Sequence, residues 1–208
     1  TFVGRLNSAK GYDIFGKAII KILDKHKDWH AHVAGDEPRE KLEFNHERLI
    51  KHGFLNHDQI LKLYELSSIA VTCSRWEEPF GRTSLEASSR GCAVIVSNRG
   101  GLNETVTNAV KLKELNKNIL FKEINNLIKQ TKKRKNLQIL SYKNFYLDHK
   151  YIANITDKYR SEILHKLKIN KNNLRIVHVT NFNNRYEGRL FYNTSKRLNN
   201  GLISLNHA

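Results

Sequence analysis

The residues richest in chemistry form one run, Glu77-Glu78-Pro79-Phe80-Gly81-Arg82-Thr83-Ser84-Leu85-Glu86-Ala87. An apolar run at 69–74 feeds its Pro/Gly turn, a second follows at 92–97, and Gly91 stands just before that second run. That order predicts a strand, a loop, a helix and a strand, with Gly91 ending the helix. Glu78 then belongs to the turn and Glu86, with seven residues between them, to the first turns of the helix. Carboxylates accept hydrogen bonds from hydroxyls, and the unpaired N–H groups of a helix start face a phosphate. The stretch therefore suits a ligand that is rich in hydroxyls and bears phosphate. On these residues alone, a capping acid and a solvated helix residue account for the two glutamates equally well.

The elements that must position this stretch alternate along the chain. Phe2-Val3 runs through Gly4-Arg5-Leu6 into a turn at 7–11, followed by Ile14, Phe15, Ala18, Ile19 and Ile22 at helical spacing. A strand at 31–35 turns at Gly35-Asp36-Glu37-Pro38, and residues 40–51 read as a helix. A short strand at 53–55 precedes a helix that Asn56 or Asp58 can cap. Strands alternating with helices predict an α/β fold built on a doubly wound parallel sheet. Right-handed crossovers collect the loops after each strand on one edge, where ligands of open sheets bind. Those loops hold Arg5, Lys10, Gly35, Glu78 and Gly100-Gly101.

Composition sets bounds on the rest. The chain has 208 residues, enough for one domain with a sizeable core, or for one and a fraction. No apolar run is long enough to span a membrane, and the first residues do not read as a secretory signal. Cys73 and Cys92 both fall in apolar runs, the pattern of buried thiols in a reducing, cytoplasmic setting. The net charge of +16 is unevenly spread. Residues 1–110 carry 15 Lys/Arg against 14 Asp/Glu, whereas 111–175 carry 17 against 5. A few placed groups must therefore meet the ligand, while the basic stretch is free to face an anionic membrane, a nucleic acid or plain water. Beyond Val110, two helical stripes follow, Ile119-Leu120-Ile124-Leu127-Ile128 and Ile152-Ile155-Tyr159-Ile163-Leu167. Residues 166–173 read as a Lys/Asn-rich linker, and 174–208 open a second sheet with one strand and one helix. The chain reads as a piece of a longer polypeptide.

Taken together, Phe-Val-Gly-Arg-Leu with Lys10-Gly11, Glu-Pro-Phe-Gly with Glu86 eight positions after Glu78, and Gly100-Gly101-x-x-Glu104 resemble a known family. It is the donor-binding, C-terminal domain of the retaining glycosyltransferases of family four, which pair two facing Rossmann-like domains in the GT-B arrangement. The resemblance covers about residues 2–165. It implies a nucleotide-diphosphate sugar as donor, and transfer with retention to a hydroxyl of a glycan or glycolipid acceptor. It implies that Arg5 and Lys10 hold the diphosphate, Glu78 the hydroxyls of the transferred sugar and Glu86 those of the ribose. Gly4, Gly35, Phe80, Gly81, Gly100 and Gly101 would shape the donor site. The helix start at Arg82, with Thr83 and Ser84, would add donors to the phosphates, and the backbone around Phe54-Leu55 would meet the base. No cofactor and no metal are expected, since the chain has no Asp-x-Asp motif and cations of the protein can take the charge of the leaving group. Residues 174–208 resemble the start of the facing, acceptor-binding domain, which implies tandem units.

The chain departs from the family at Arg82-Thr83-Ser84, where apolar residues are common, and at 106–114, which has no glycine. Two other readings compete. One is a nucleotide-sugar-binding module without catalysis. The other is a nucleic-acid-binding protein using residues 111–175, against which stands the helical spacing of Tyr142, Phe145, Tyr146, Tyr151 and Tyr159. The expected setting is cytoplasmic, at the inner face of a membrane.

Overall fold

The apolar runs at 69–74 and 92–97 become neighbouring strands buried between helices, within a sheet of six. In the computed structural model, which describes residues 1–166, the strands are β1 (Phe2–Val3), β2 (Ala31–Ala34), β3 (Leu49–Lys51), β4 (Ile69–Thr72), β5 (Ala93–Ser97) and β6 (Ala109–Leu112). All five residues of β5 are buried, the pattern of a central parallel strand. The sheet runs β3-β2-β1-β4-β5-β6 and is parallel throughout, with Phe2 opposite both Val33 and Val71, and Ile69 opposite Ala93. The winding direction therefore reverses between β1 and β4, which places a topological switch point there.

Helices cover the two faces. Side chains of α1 (Tyr12–Lys25) and α4 (Lys117–Lys129), among them Phe15, Leu23, Leu120 and Leu127, pack with Val33, Val71 and Ile95. Tyr64 of α2 (His57–Glu65), Ala87 of α3 (Arg82–Ser89) and Leu102 pack with Ala70, Val94 and Val96 on the other face. Alternation along β4 and β5 sends successive side chains to the two cores. Asn56 caps α2 in a reciprocal box with Gln59. Gly91, at φ 75°, closes α3 as its position predicts. α5 (Thr131–Lys143) packs beside α3 and β5. Residues 1–148 form one compact unit, and α6 (His149–Lys166) begins a second. Most of the predicted 166–173 linker and all of 174–208 lie outside the described residues. Among the described residues, no helix is long and apolar enough to cross a membrane.

Two expectations are corrected. Residues 40–51 do not form a helix; they run irregularly through a turn at 47–48 into β3, which pairs with β2 through Ala31↔Leu49. Packing overrides helical propensity here. The Phe44 ring lies edge-on to Tyr12 and occupies the space a Cβ at Gly16 would need. Arg48 is buried and donates to the carbonyls of Leu23, His26 and Trp29 at 2.5, 2.8 and 3.1 Å. One guanidinium thus satisfies the end of α1, which a helix at 40–51 would leave open. The strand expected at 53–55 is a turn, with Gly53 at φ 65°.

Arg48→Ala should lower stability by about 2–4 kcal/mol, because it strips charged hydrogen bonds from three carbonyls. Urea unfolding measures this, and a loss under about 0.5 kcal/mol, the size of an ordinary surface change, would show that Arg48 does not brace α1.

Candidate functional site

The loop between β1 and α1 is bolted to the end of β4. Gly11 begins α1 at φ 75°, and a Cβ there would stand 1.9 Å from the Cys73 carbonyl oxygen. Only glycine permits that approach. The carbonyl of Ala9 accepts from the Ser74 hydroxyl at 3.1 Å and from the backbone N–H groups of Arg75 and Trp76 at 2.9 and 3.2 Å. Arg75 forks onto Asp13 at 2.6 and 2.8 Å and also donates to the Ser8 carbonyl. Within the loop, the Asn7 side chain accepts from the Lys10 N–H at 2.9 Å and donates to Glu37 at 3.0 Å. Gly35 adds a second close approach, since a Cβ there would stand 1.9 Å from the Gly4 carbonyl oxygen.

The outcome is a placed ion pair at the switch point. Lys10 Nζ lies 2.5 Å from Glu78 Oε1, with the lysine side chain 33% and the glutamate 12% exposed. Both line a cavity of about 160 Å³ together with Gly4, Gly81, Arg82 and Thr83. Six residues singled out from sequence therefore converge. Thr72 and Ser74 line the same cavity and escaped the sequence reading. Their signal was available, as hydroxyl residues ending an apolar strand on the ligand edge. A larger hollow of about 640 Å³ opens at the opposite edge, beside Trp29 and Arg134, away from these groups.

Glu86 is buried on α3, and its Oε1 meets Arg82 Nε at 3.0 Å and His57 Nδ1 at 3.5 Å. His57, the first residue of α2, was not foreseen, because only folding brings α2 to α3. Burial first, and then the charge of Glu86, raises the Tyr64 phenol well above its usual pKa, so it stays neutral.

The remaining predicted residues lie outside the cavity lining. Gly100 and Gly101 press on the backbone of the glutamate loop: a Cβ on Gly100 would stand 2.4 Å from the Glu78 carbonyl oxygen, and Gly101 N–H donates to that oxygen at 2.7 Å. They support Glu78 from behind. Arg5 is exposed one residue beyond Gly4, Phe80 is exposed in the glutamate loop, and Phe54 and Leu55 sit in the turn before α2, Phe54 78% exposed. Ser84 is a correction. Its hydroxyl, expected to face a ligand, is fully buried and donates to the Gly81 carbonyl at 2.7 Å, with Thr105 Oγ1 at 3.1 Å.

Residues 1–144 match the family model described as glycosyl transferases group 1. An uncharacterized glycosyltransferase, MJ1607, of Methanocaldococcus jannaschii is 36% identical over 115 residues, which is 52% of this chain and 29% of that protein. The lipopolysaccharide core biosynthesis mannosyltransferase LpsB of Rhizobium meliloti is 34% identical over 114 residues, 50% of this chain and 32% of that protein. The chain thus spans about a third of these curated relatives. Among solved structures, the C-terminal domain of a glycosyl transferase group 1 protein, LpcC, from Francisella tularensis superposes with a TM-score of 0.61 at 26% identity, covering 68% of this chain and 81% of that one. Anabaena HepE in complex with UDP-glucose shares the fold at a TM-score of 0.60 and 22% identity, over 77% of this chain and 48% of that one.

Hydrogen bonds from Arg75, ahead of its charge, hold the Asp13 carboxyl below its ordinary value of 3.8. A carboxyl depressed by folding lends stability that is present above that ordinary value and is lost as pH falls through the lowered one. Asp13→Asn should therefore lower the urea midpoint at neutral pH and flatten its decline in acid. Parallel acid limbs for the two proteins would show that the bolt carries no pH-dependent stability.

Proposed function

Since the chain belongs to the glycosyl transferases group 1 family, we propose that it binds a nucleotide-diphosphate sugar at the cavity between β1 and β4. In the whole protein it would serve as the donor half of a retaining, family-four hexosyltransferase of GT-B type. The observation that carries the reading is the Lys10–Glu78 pair, a cation and a hydroxyl acceptor side by side on one cavity. Lys10, joined by Arg5, neutralises the diphosphate as the bond from the anomeric carbon to its oxygen breaks, which is stabilisation where charge develops. Glu78 accepts from hydroxyls of the sugar and Glu86 from those of the ribose. The N–H groups at the start of α3 and the Thr83 hydroxyl serve the phosphates. The turn at Phe54-Leu55 meets the base. No metal takes part in this reading; protein cations stabilise the leaving diphosphate.

The new bond joins an acceptor hydroxyl oxygen to the anomeric carbon on the face the diphosphate leaves, and the hydroxyl proton departs with the diphosphate. The acceptor, a glycan or glycolipid, is held by the facing domain, and the setting proposed is the cytoplasmic side of an anionic membrane. The mannosyltransferase LpsB among the relatives and the UDP-glucose in the HepE structure support this choice of chemistry. Holding two reactants in attack geometry is worth up to about 7–11 kcal/mol, which one half of a cleft does not supply. The chain alone is therefore expected to bind donor without transferring its sugar.

Calorimetry with UDP, GDP and ADP and their glucose or mannose conjugates tests the reading. Lys10→Ala should weaken binding of the preferred diphosphate by about 1–3 kcal/mol. Glu86→Gln should weaken free and sugar-bearing diphosphate alike. Glu78→Gln releases Lys10 from its partner, so free diphosphate should bind as well or better while the preference for the sugar conjugate is lost. An equal effect of Glu78→Gln on both ligands would refute the roles given to the pair.

A further inference from the structure

The exposed face of α5 has a composition that neither the donor site nor the core explains. Its sequence, Thr-Lys-Lys-Arg-Lys-Asn-Leu-Gln-Ile-Leu-Ser-Tyr-Lys, holds five cations and no acid. Arg134 turns inward, donating to the carbonyls of Leu127 and Ile128 and lying over the Trp29 ring at 5.0 Å. Ser141, on the same side, is buried and donates to the Asn108 carbonyl. The opposite side carries Lys132, Lys135, Asn136, Ile139, Tyr142 and Lys143, all exposed. At 100° per residue these six fall within an arc of about 120°. Ile139 and Tyr142 lie one turn apart at its centre and edge, 51% and 65% exposed, with lysines at both ends of the helix.

A solvated lysine face needs no apolar residues at its middle, and a docking face for an acidic protein would be expected to carry some counter-charge for register. Exposed lysines with apolar side chains among them, on the helix face turned away from the core, fit attraction to the anionic headgroups of a lipid surface. We propose that the outer face of α5 binds the surface of an anionic membrane, Lys132, Lys135 and Lys143 meeting lipid phosphates while Ile139 and Tyr142 enter the boundary with the acyl chains. This surface extends the membrane setting given above but uses no residue of the donor cavity, so the two readings can fail separately. Nucleic acid is the competing partner for the lysines. It has no use for Ile139, whereas lipid does.

The test is flotation of the full chain with phosphatidylcholine vesicles, with and without phosphatidylglycerol. The expected result is binding to the anionic vesicles only, weakened by added salt. Replacing Lys132, Lys135 and Lys143 together by glutamate should cut it roughly a hundredfold or more, since each lysine near such a surface contributes about fivefold. Ile139→Asp should also reduce vesicle binding while leaving the urea unfolding midpoint unchanged, which shows that the protein remains folded. No preference for anionic vesicles would overturn the proposal. So would vesicle binding that survives both variants, or tight binding of an RNA oligomer that Ile139→Asp does not alter.

Discussion

The approach of Gly11 to the Cys73 carbonyl governs where everything else at the ligand edge can lie. A side chain at position 11 would occupy the same space as that carbonyl oxygen, so α1 starts beside the end of β4 only because the residue is glycine. Once that contact is made, Ala9 becomes the acceptor for three donors from residues 74–76, and Arg75 reaches back to Asp13 on α1. The loop bearing Lys10 and the loop bearing Glu78 are then parts of one hydrogen-bonded assembly, although 68 residues separate the two side chains. The glycines at 100 and 101 hold that assembly from the far side. Precision at the cavity is therefore a property of backbone packing, and the two charged side chains inherit it.

Charge is partitioned between the two ends of this architecture. The ligand edge is built from a nearly balanced stretch of sequence, and four of its cations are paired with acids: Lys10 with Glu78, Arg75 with Asp13, Arg82 with Glu86, Arg99 with Glu77. The excess of cations belongs to the later part of the chain. Of the five cations of α5, one is drawn into packing on Trp29 and the other four are exposed.

How much of this was legible beforehand differs by element. The sheet was readable because β4 and β5 are continuous apolar runs, and the Asn56 cap and the Gly91 stop obey local chemistry. Residues 40–51 were misread for the opposite reason: nothing local forbids a helix there, and the decision lies with Phe44 and Arg48, whose partners sit on α1. β6 escaped because a four-residue strand at a sheet edge, carrying an exposed Lys111, has no periodicity to find. At the site, loop position marked Lys10 and Glu78, while Gly81 was singled out by the family resemblance. The pairing of His57 with Glu86, and the inward turn of Ser84, depend on which helices meet, and spacing along one segment carries no record of that.

The Lys10–Glu78 pair also bears on what the cavity refuses. A small anion such as inorganic phosphate can accept a hydrogen bond from Lys10, but it then sets its own charge beside the Glu78 carboxylate, which is 12% exposed. A neutral sugar offers hydroxyls to Glu78 but brings no negative charge to the lysine. Only a molecule that brings an anion and hydroxyls at adjacent positions compensates both partners at once. For the donor proposed above, the ion pair thus favours phosphate and sugar hydroxyls joined in one ligand over either of them alone.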